Sequence, residues 1–197
     1  MVEVTKITKF KSNSKTKTKT QIILCHTSRD ATKYIDTLSN RYGGYYDRIP
    51  NYLITKEGEV IQLLGDNLGS NFFFDQDVNK QSIIISLENY GWLKRKELSK
   101  EYITWDQTIY NGDVYKKKWR GMFFWDPYTE VQQKKLTELC VEKLAENLIP
   151  KNFTYNSGLY HRVKEFKGIT CRSNYNLMYT DLNPSFDYEQ FLTNIKK

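Results

Sequence analysis

The sequence predicts a single α/β domain with a central mixed β-sheet flanked by helices. Apolar runs of strand length, rich in β-branched residues, recur along the chain. Stretches with helical periodicity separate and follow them, the pattern of helices packed on a sheet. A length of 197 residues suffices for one full core rather than two.

QIILC, from residue 21, reads as a buried strand. Ser28 reads as the N-cap of a helix to about Tyr42, with Ala31, Tyr34, Ile35, Leu38 and Tyr42 on one face and Gly43-Gly44 stopping it. NYLIT and VIQLL flank KEGE, a hairpin with Gly58 in its turn. SIIISLE, residues 82–88, is another apolar strand. Residues 100–126 are aromatic and lack a period, which predicts an insertion or long loop. Thr129 with Gln132 reads as a capping box opening a helix to about Leu148, lined by Leu136, Cys140, Leu144 and Leu148 and ended by Pro150. GITCR, 168–172, is a last strand. A short helix over about 187–196 turns Tyr188, Phe191, Leu192 and Ile195 inward. There are no internal repeats. The domain is expected over 21–197, preceded by a basic segment at 1–20.

That segment carries six lysines against one glutamate, and KSNSKTKTKT within it predicts a mobile stretch or a solvated edge strand. It supplies much of the net charge of +7, which suits a polyanion as well as it suits simple solubility. YKKKWR, residues 115–120, is a second basic and aromatic cluster. No apolar run approaches the roughly 18 residues of a membrane span, so no membrane partner is expected. The start of the chain lacks the pattern of a secretory signal, which predicts the cytoplasm of the producing cell, a phage virion or release on lysis. Cys25, Cys140 and Cys171 do not make a disulfide framework. Nucleic acid is disfavoured as a partner, because charge alone speaks for it and no reading motif is present.

The chain has two histidines, His26 and His161. His26 ends the first strand, where a metal-dependent hydrolase on an α/β scaffold can hold a ligand; a strand-end histidine bonded to backbone is the plainer alternative. Its neighbour Cys25 points to the opposite face of the sheet.

QIILCHTS, NYLITKEGEVIQLL, SIIISLEN, PYTEVQQKKLTELCVEKLAENLIP and TDLNPSFDYEQF, in this order, resemble the zinc amidase family that includes N-acetylmuramoyl-L-alanine amidases, phage amidase lysozymes and peptidoglycan recognition proteins. The resemblance implies a zinc ion that activates water and hydrolyses the amide between the lactyl group of muramic acid and L-alanine. It places His26 as the first metal ligand and Asp181 as the third. Cys171, ten residues before Asp181, takes the second position in place of the usual histidine. A cysteine at a strand end is also often a small buried residue.

The groups that move protons in the family are altered. Pro50 and Ser86 stand where a tyrosine or a glutamate would act, and Tyr179 where a lysine supports the oxyanion. The catalytic residues are therefore unassigned, with Glu88, Tyr179 and His161 as substitutes; each has a plainer reading as a surface carboxylate, a loop tyrosine and a solvated histidine. Two functions follow from the resemblance. One is a zinc-dependent peptidoglycan amidase with a modified site. The other is a catalytically inactive amidase-fold module that binds the cell wall or serves in a phage virion. The expected partner is peptidoglycan or another cell-wall polymer, with virion proteins besides.

Overall fold

The computed structural model describes residues 2–12, 17–73, 75–155 and 158–197. Part of the KSNSKTKTKT run thus lies outside the described residues. The main sheet has six strands in the order β1-β4-β3-β5-β2-β11: β1 (Thr5–Lys6), β2 (Gln21–His26), β3 (Tyr52–Ile54), β4 (Val60–Gln62), β5 (Ser82–Leu87) and β11 (Gly168–Cys171). β2 runs parallel to both β5 and β11, and β3 runs parallel to β5; only the β3–β4 hairpin is antiparallel. All residues of β2 and β5 are buried, which is why they read as continuous apolar runs rather than alternating ones.

Helices cover both faces. α3 (Glu130–Glu146) and α4 (Tyr188–Lys196) pack on one side, where Leu136, Leu139, Cys140, Phe191 and Ile195 meet Ile22, Leu24, Ile83 and Ile85. On the other, α1 (Ala31–Asn40) sets Tyr34, Ile35 and Leu38 against Leu53 and Ile61, and α2 (Gln76–Gln81) sets Val78 against Ile23, Cys25 and Ile84. Cys25 and Leu24 thus lie on opposite faces, as strand alternation requires.

Several elements depart from expectation. α1 starts two residues later, capped by Asp30, whose carboxylate accepts from the Lys33 N–H at 2.8 Å; Ser28 sits at φ 61° with its carbonyl taken by the Trp105 indole. Thr129 caps α3, but the Gln132 side chain does not close a box. It donates instead to the Ile54 and Glu88 carbonyls, bolting the helix to the ends of β3 and β5. Leu148 lies beyond the helix end and is exposed, as is Tyr42 beyond α1. The basic start is partly built into the fold. β1 pairs with β4, Val2 and Val4 pack on the core, and the buried Lys19 ammonium donates to the Ser82 carbonyl at 2.8 Å.

Residues 100–126 are regular rather than looped. With 92–95 they build a second, antiparallel sheet in the order β8-β7-β6-β10-β9: β6 (Trp92–Arg95), β7 (Tyr102–Ile103), β8 (Ile109–Tyr110), β9 (Tyr115–Trp119) and β10 (Met122–Trp125). Strands of two to five residues, half of them exposed, are too short to leave an alternating signature. Trp125 is the fully buried anchor of this sheet.

Candidate active site and ligand groove

The parallel strands end together, and ligand sites in such sheets form beyond their carboxyl ends. There His26 closes β2 and Arg172 follows β11. The loop through Met178–Thr180 faces them, and a groove of about 320 Å³ opens between these elements, α1 and the second sheet. His26 is held by its own backbone as well as its ring. Its N–H donates to Asp181 Oδ1 at 2.8 Å, and Nδ1 lies 3.1 Å from the same oxygen but off the line of a hydrogen bond. Gly91, at φ 77°, lies against the imidazole: a Cβ there would come within 3.0 Å of Nε2. Only glycine fits that approach in that conformation.

Asp181 is fully buried, and its main partner is Arg172. The guanidinium binds it as a fork, Nε to Oδ2 at 2.7 Å and Nη2 to Oδ1 at 2.8 Å. The back of the guanidinium packs on the Tyr179 ring, 4.3 Å from its centroid. Burial alone would raise the Asp181 carboxyl; the charge of Arg172, with the hydrogen bonds from its guanidinium and from the His26 N–H, overcomes it and holds the group below its ordinary value. Burial lowers the His26 imidazole against the pull of Asp181, so the ring is neutral at neutral pH. The cluster is then one anion, one cation and one neutral ring.

The expected metal ligands are only partly brought together. His26 and Asp181 adjoin. Cys171 turns its side chain into the apolar core with Ile169, Leu182 and Phe191, on the face of the sheet that α3 covers. Burial pushes its thiol up to about 12. Arg172, one residue on, reaches the carboxylate instead. Among the described residues no group of three His, Cys, Asp or Glu side chains could hold a metal ion. The zinc that the resemblance implies does not fit this donor set. A guanidinium has no lone pair to offer, and it would repel a divalent ion about 4 Å away by roughly 8 kcal/mol at an effective dielectric of 20.

The proposed substitutes for the missing proton-transfer groups separate as well. Tyr179 lines the groove, with its carbonyl bonded to Arg120. Glu88 lies outside the groove lining, its carboxylate accepting from the Lys56 N–H at 3.0 Å. Burial raises its carboxyl. Ser86 is fully buried beside Cys25, their side-chain atoms 3.0 Å apart, and His161 is exposed and lines no part of the groove.

What sequence reasoning missed is the character of the walls. Arg29, Arg41 and Arg172 line the groove with no aspartate or glutamate among its lining residues. Trp92 and Trp105 come from the second sheet, and Tyr34 and Tyr46 face them from α1 and beyond. Trp105 is fixed by its indole N–H, which donates to the Ser28 carbonyl at 2.6 Å, and by the Arg29 guanidinium over its ring. Reading 100–126 as loop hid this wall. Arg172 stood in plain view at the end of GITCR, and an arginine one residue nearer to Asp181 than Cys171 was the available signal.

The profile of the N-acetylmuramoyl-L-alanine amidase family matches residues 15–172. No curated protein matches the chain. Among solved structures, the N-acetylmuramoyl-L-alanine amidase LysC of Clostridium intestinale superposes with a TM-score of 0.59 at 10% identity, covering 100% of this chain and 99% of that one. AmpDh3 of Pseudomonas aeruginosa, solved with an anhydromuramic pentapeptide, gives 0.56 at 13% identity over 95% of this chain and 64% of that one. The Staphylococcus aureus hydrolase AmiA, solved with its ligand, gives 0.52 at 12% identity over 99% and 81%. At such identities the superpositions speak for the fold, a mixed sheet with helices on both faces. The family profile spans most of the sequence, and on that ground the chain belongs to the N-acetylmuramoyl-L-alanine amidase family.

Proposed function

We propose that this chain binds peptidoglycan in the groove beside His26 and acts as a wall-recognition module rather than as a zinc hydrolase. The observation that carries the reading is the lining: three arginines, seven aromatic side chains and no acidic side chain at the carboxyl ends of the parallel strands. Arginine forks pair with the carboxylates of a peptide stem, and flat rings suit the apolar faces of sugars. Two relatives in fold are solved with such a fragment or with a ligand, which supports the same class of partner here. The donor set around Asp181 supports binding without metal-assisted cleavage. A module of this kind would act after release on lysis or as part of a virion.

The test uses purified sacculi. Wild type should sediment with them, Trp105→Ala and Arg41→Ala should reduce the bound fraction, and turbidity should stay constant with or without added zinc. No binding by wild type would overturn the reading. A second reading, hydrolysis of the lactyl–alanine amide by zinc on His26, Cys171 and Asp181, is favoured by the adjacency of His26 and Asp181 alone. Zinc-dependent clearing of the suspension would establish it, and Glu88 or Tyr179 would then be the groups to replace next.

A further inference from the structure

We infer that the guanidinium of Arg172 occupies the place of a metal ion, so that the His26–Asp181 centre is completed by a permanent cation carried on the chain itself. Four features of the centre converge on this. First, the fork of Arg172 takes both oxygens of Asp181, at 2.7 and 2.8 Å. Second, the oxygen bonded by Nη2 is the same Oδ1 that lies 3.1 Å from His26 Nδ1, so imidazole and guanidinium converge on one atom. That Nδ1 is buried and makes no hydrogen bond. Third, the charges already cancel. Asp181 is fully buried and the Arg172 side chain is 16% exposed, and a divalent ion added to the pair would leave a large uncompensated charge beside a buried carboxylate that is already neutralised. Fourth, the Arg172 guanidinium lies against two rings, 4.3 Å from the Tyr179 centroid and 5.7 Å from that of Phe72, contacts it would have to give up to swing clear and admit an ion.

The consequence is specific. A guanidinium stays charged at any pH the fold survives and cannot be removed by a chelator. It can draw an anionic or carbonyl oxygen into the groove, but it has no coordination position on which to activate a water molecule. The centre is thus kept for holding a ligand, independently of which wall fragment the groove accepts.

The experiment is a zinc titration of the whole chain and of Arg172→His, read by metal content after gel filtration and by thermal unfolding. Wild type should retain no zinc, and its melting temperature should not move on adding zinc chloride. Arg172→His places a lone-pair donor where the fork stood; it should retain zinc stoichiometrically and gain roughly 5 °C or more with the metal, an effect abolished by adding Asp181→Asn. Zinc retained by wild type and lost in Asp181→Asn would overturn the inference. A folded Arg172→His that binds no zinc would overturn it too, because the arginine would then not be what fills the metal's place. Should Arg172→His be unfolded without metal, refolding in zinc chloride decides the matter: recovery supports the inference and failure to recover overturns it.

Discussion

Two aspartates in this molecule are completely buried and each is matched to a cation, yet they do different work. Asp181 meets the fork of Arg172 and the backbone N–H of His26, and its partner lines the groove. Asp126, at the end of β10, accepts from the Tyr90 N–H at 2.7 Å and the Tyr110 hydroxyl at 2.6 Å, and pairs with the ammonium of Lys56 from the β3–β4 turn. Neither the carboxylate nor its lysine lines the groove. Asp126 therefore clamps the second sheet onto the first, while Asp181 sets a charge at the mouth of the ligand site. A buried acid near a cleft does not by itself mark chemistry. What separates the two is where the cation points, and whether it is a flat, fixed fork or a compact ammonium with one strong contact.

The largest effect is expected at Arg172. Arg172→Ala strands the buried carboxylate of Asp181 and should cost about 3–5 kcal/mol of unfolding free energy. Arg172→Met with Asp181→Asn removes both charges and should recover most of it. Chemical denaturation of the three proteins checks this. Equal losses in the single and double variants would mean that packing, not the charge pair, holds the centre.

Lys56→Ala should cost less, about 2–3 kcal/mol, because Asp126 keeps its two other donors and the lysine side chain is 24% exposed. The loss should fall on the second sheet. Amide exchange should rise in residues 92–125 while β2 and β5 stay protected. Uniform deprotection would show that the two sheets unfold as one unit.

These contrasts also show what could be read in advance. The main sheet was legible because its strands are buried on both faces: QIILC and SIIISLE announce themselves by apolar runs, and α3 by its spacing of Leu136, Cys140 and Leu144. Asp181 was singled out by its motif. Asp126 was not, because nothing local distinguishes an acid that a distant lysine will neutralise. The same blindness applied to Cys171 and Arg172. Which of two adjacent residues turns toward Asp181 depends on β11 ending at Cys171, with that side chain committed to the core face and the next residue free to leave the sheet plane. Boundaries to within one residue are set by tertiary contacts, and spacing in sequence does not contain them.

Lys19 sharpens the comparison from the opposite side, as a buried charge whose two hydrogen bonds both go to backbone carbonyls, those of Lys80 and Ser82. Burial lowers its ammonium from 10.5 to about 8, with Asp66 pulling weakly the other way. The folded protein therefore releases this proton near pH 8 and the unfolded chain near pH 10.5. Between those values the unfolded chain binds one proton more, so this residue's contribution to stability rises with pH across the window and is flat on either side. Relative to Lys19→Met, wild type should gain about 3 kcal/mol from pH 7.5 to 10.5. A flat difference curve would mean that the ammonium is solvated, and that uncompensated burial is no penalty at this edge of the sheet.

The smallest expected effect tests whether the two aspartate centres are independent at all. Gly91 lies between them: its carbonyl accepts from the Asp126 N–H at 2.9 Å, and its Cα side faces the His26 ring. Gly91→Ala introduces a Cβ 3.0 Å from Nε2 at a left-handed φ of 77° and should cost roughly 1–2 kcal/mol. If each centre stands alone, the cost adds to that of Lys56→Ala within about 0.5 kcal/mol. If the imidazole and the clamp are coupled through this one residue, the double variant departs from additivity, and the His26 ring resonances shift in Lys56→Ala as well. Additivity with an unmoved ring would place the boundary between the structural and the ligand-facing halves of the molecule at Gly91 itself.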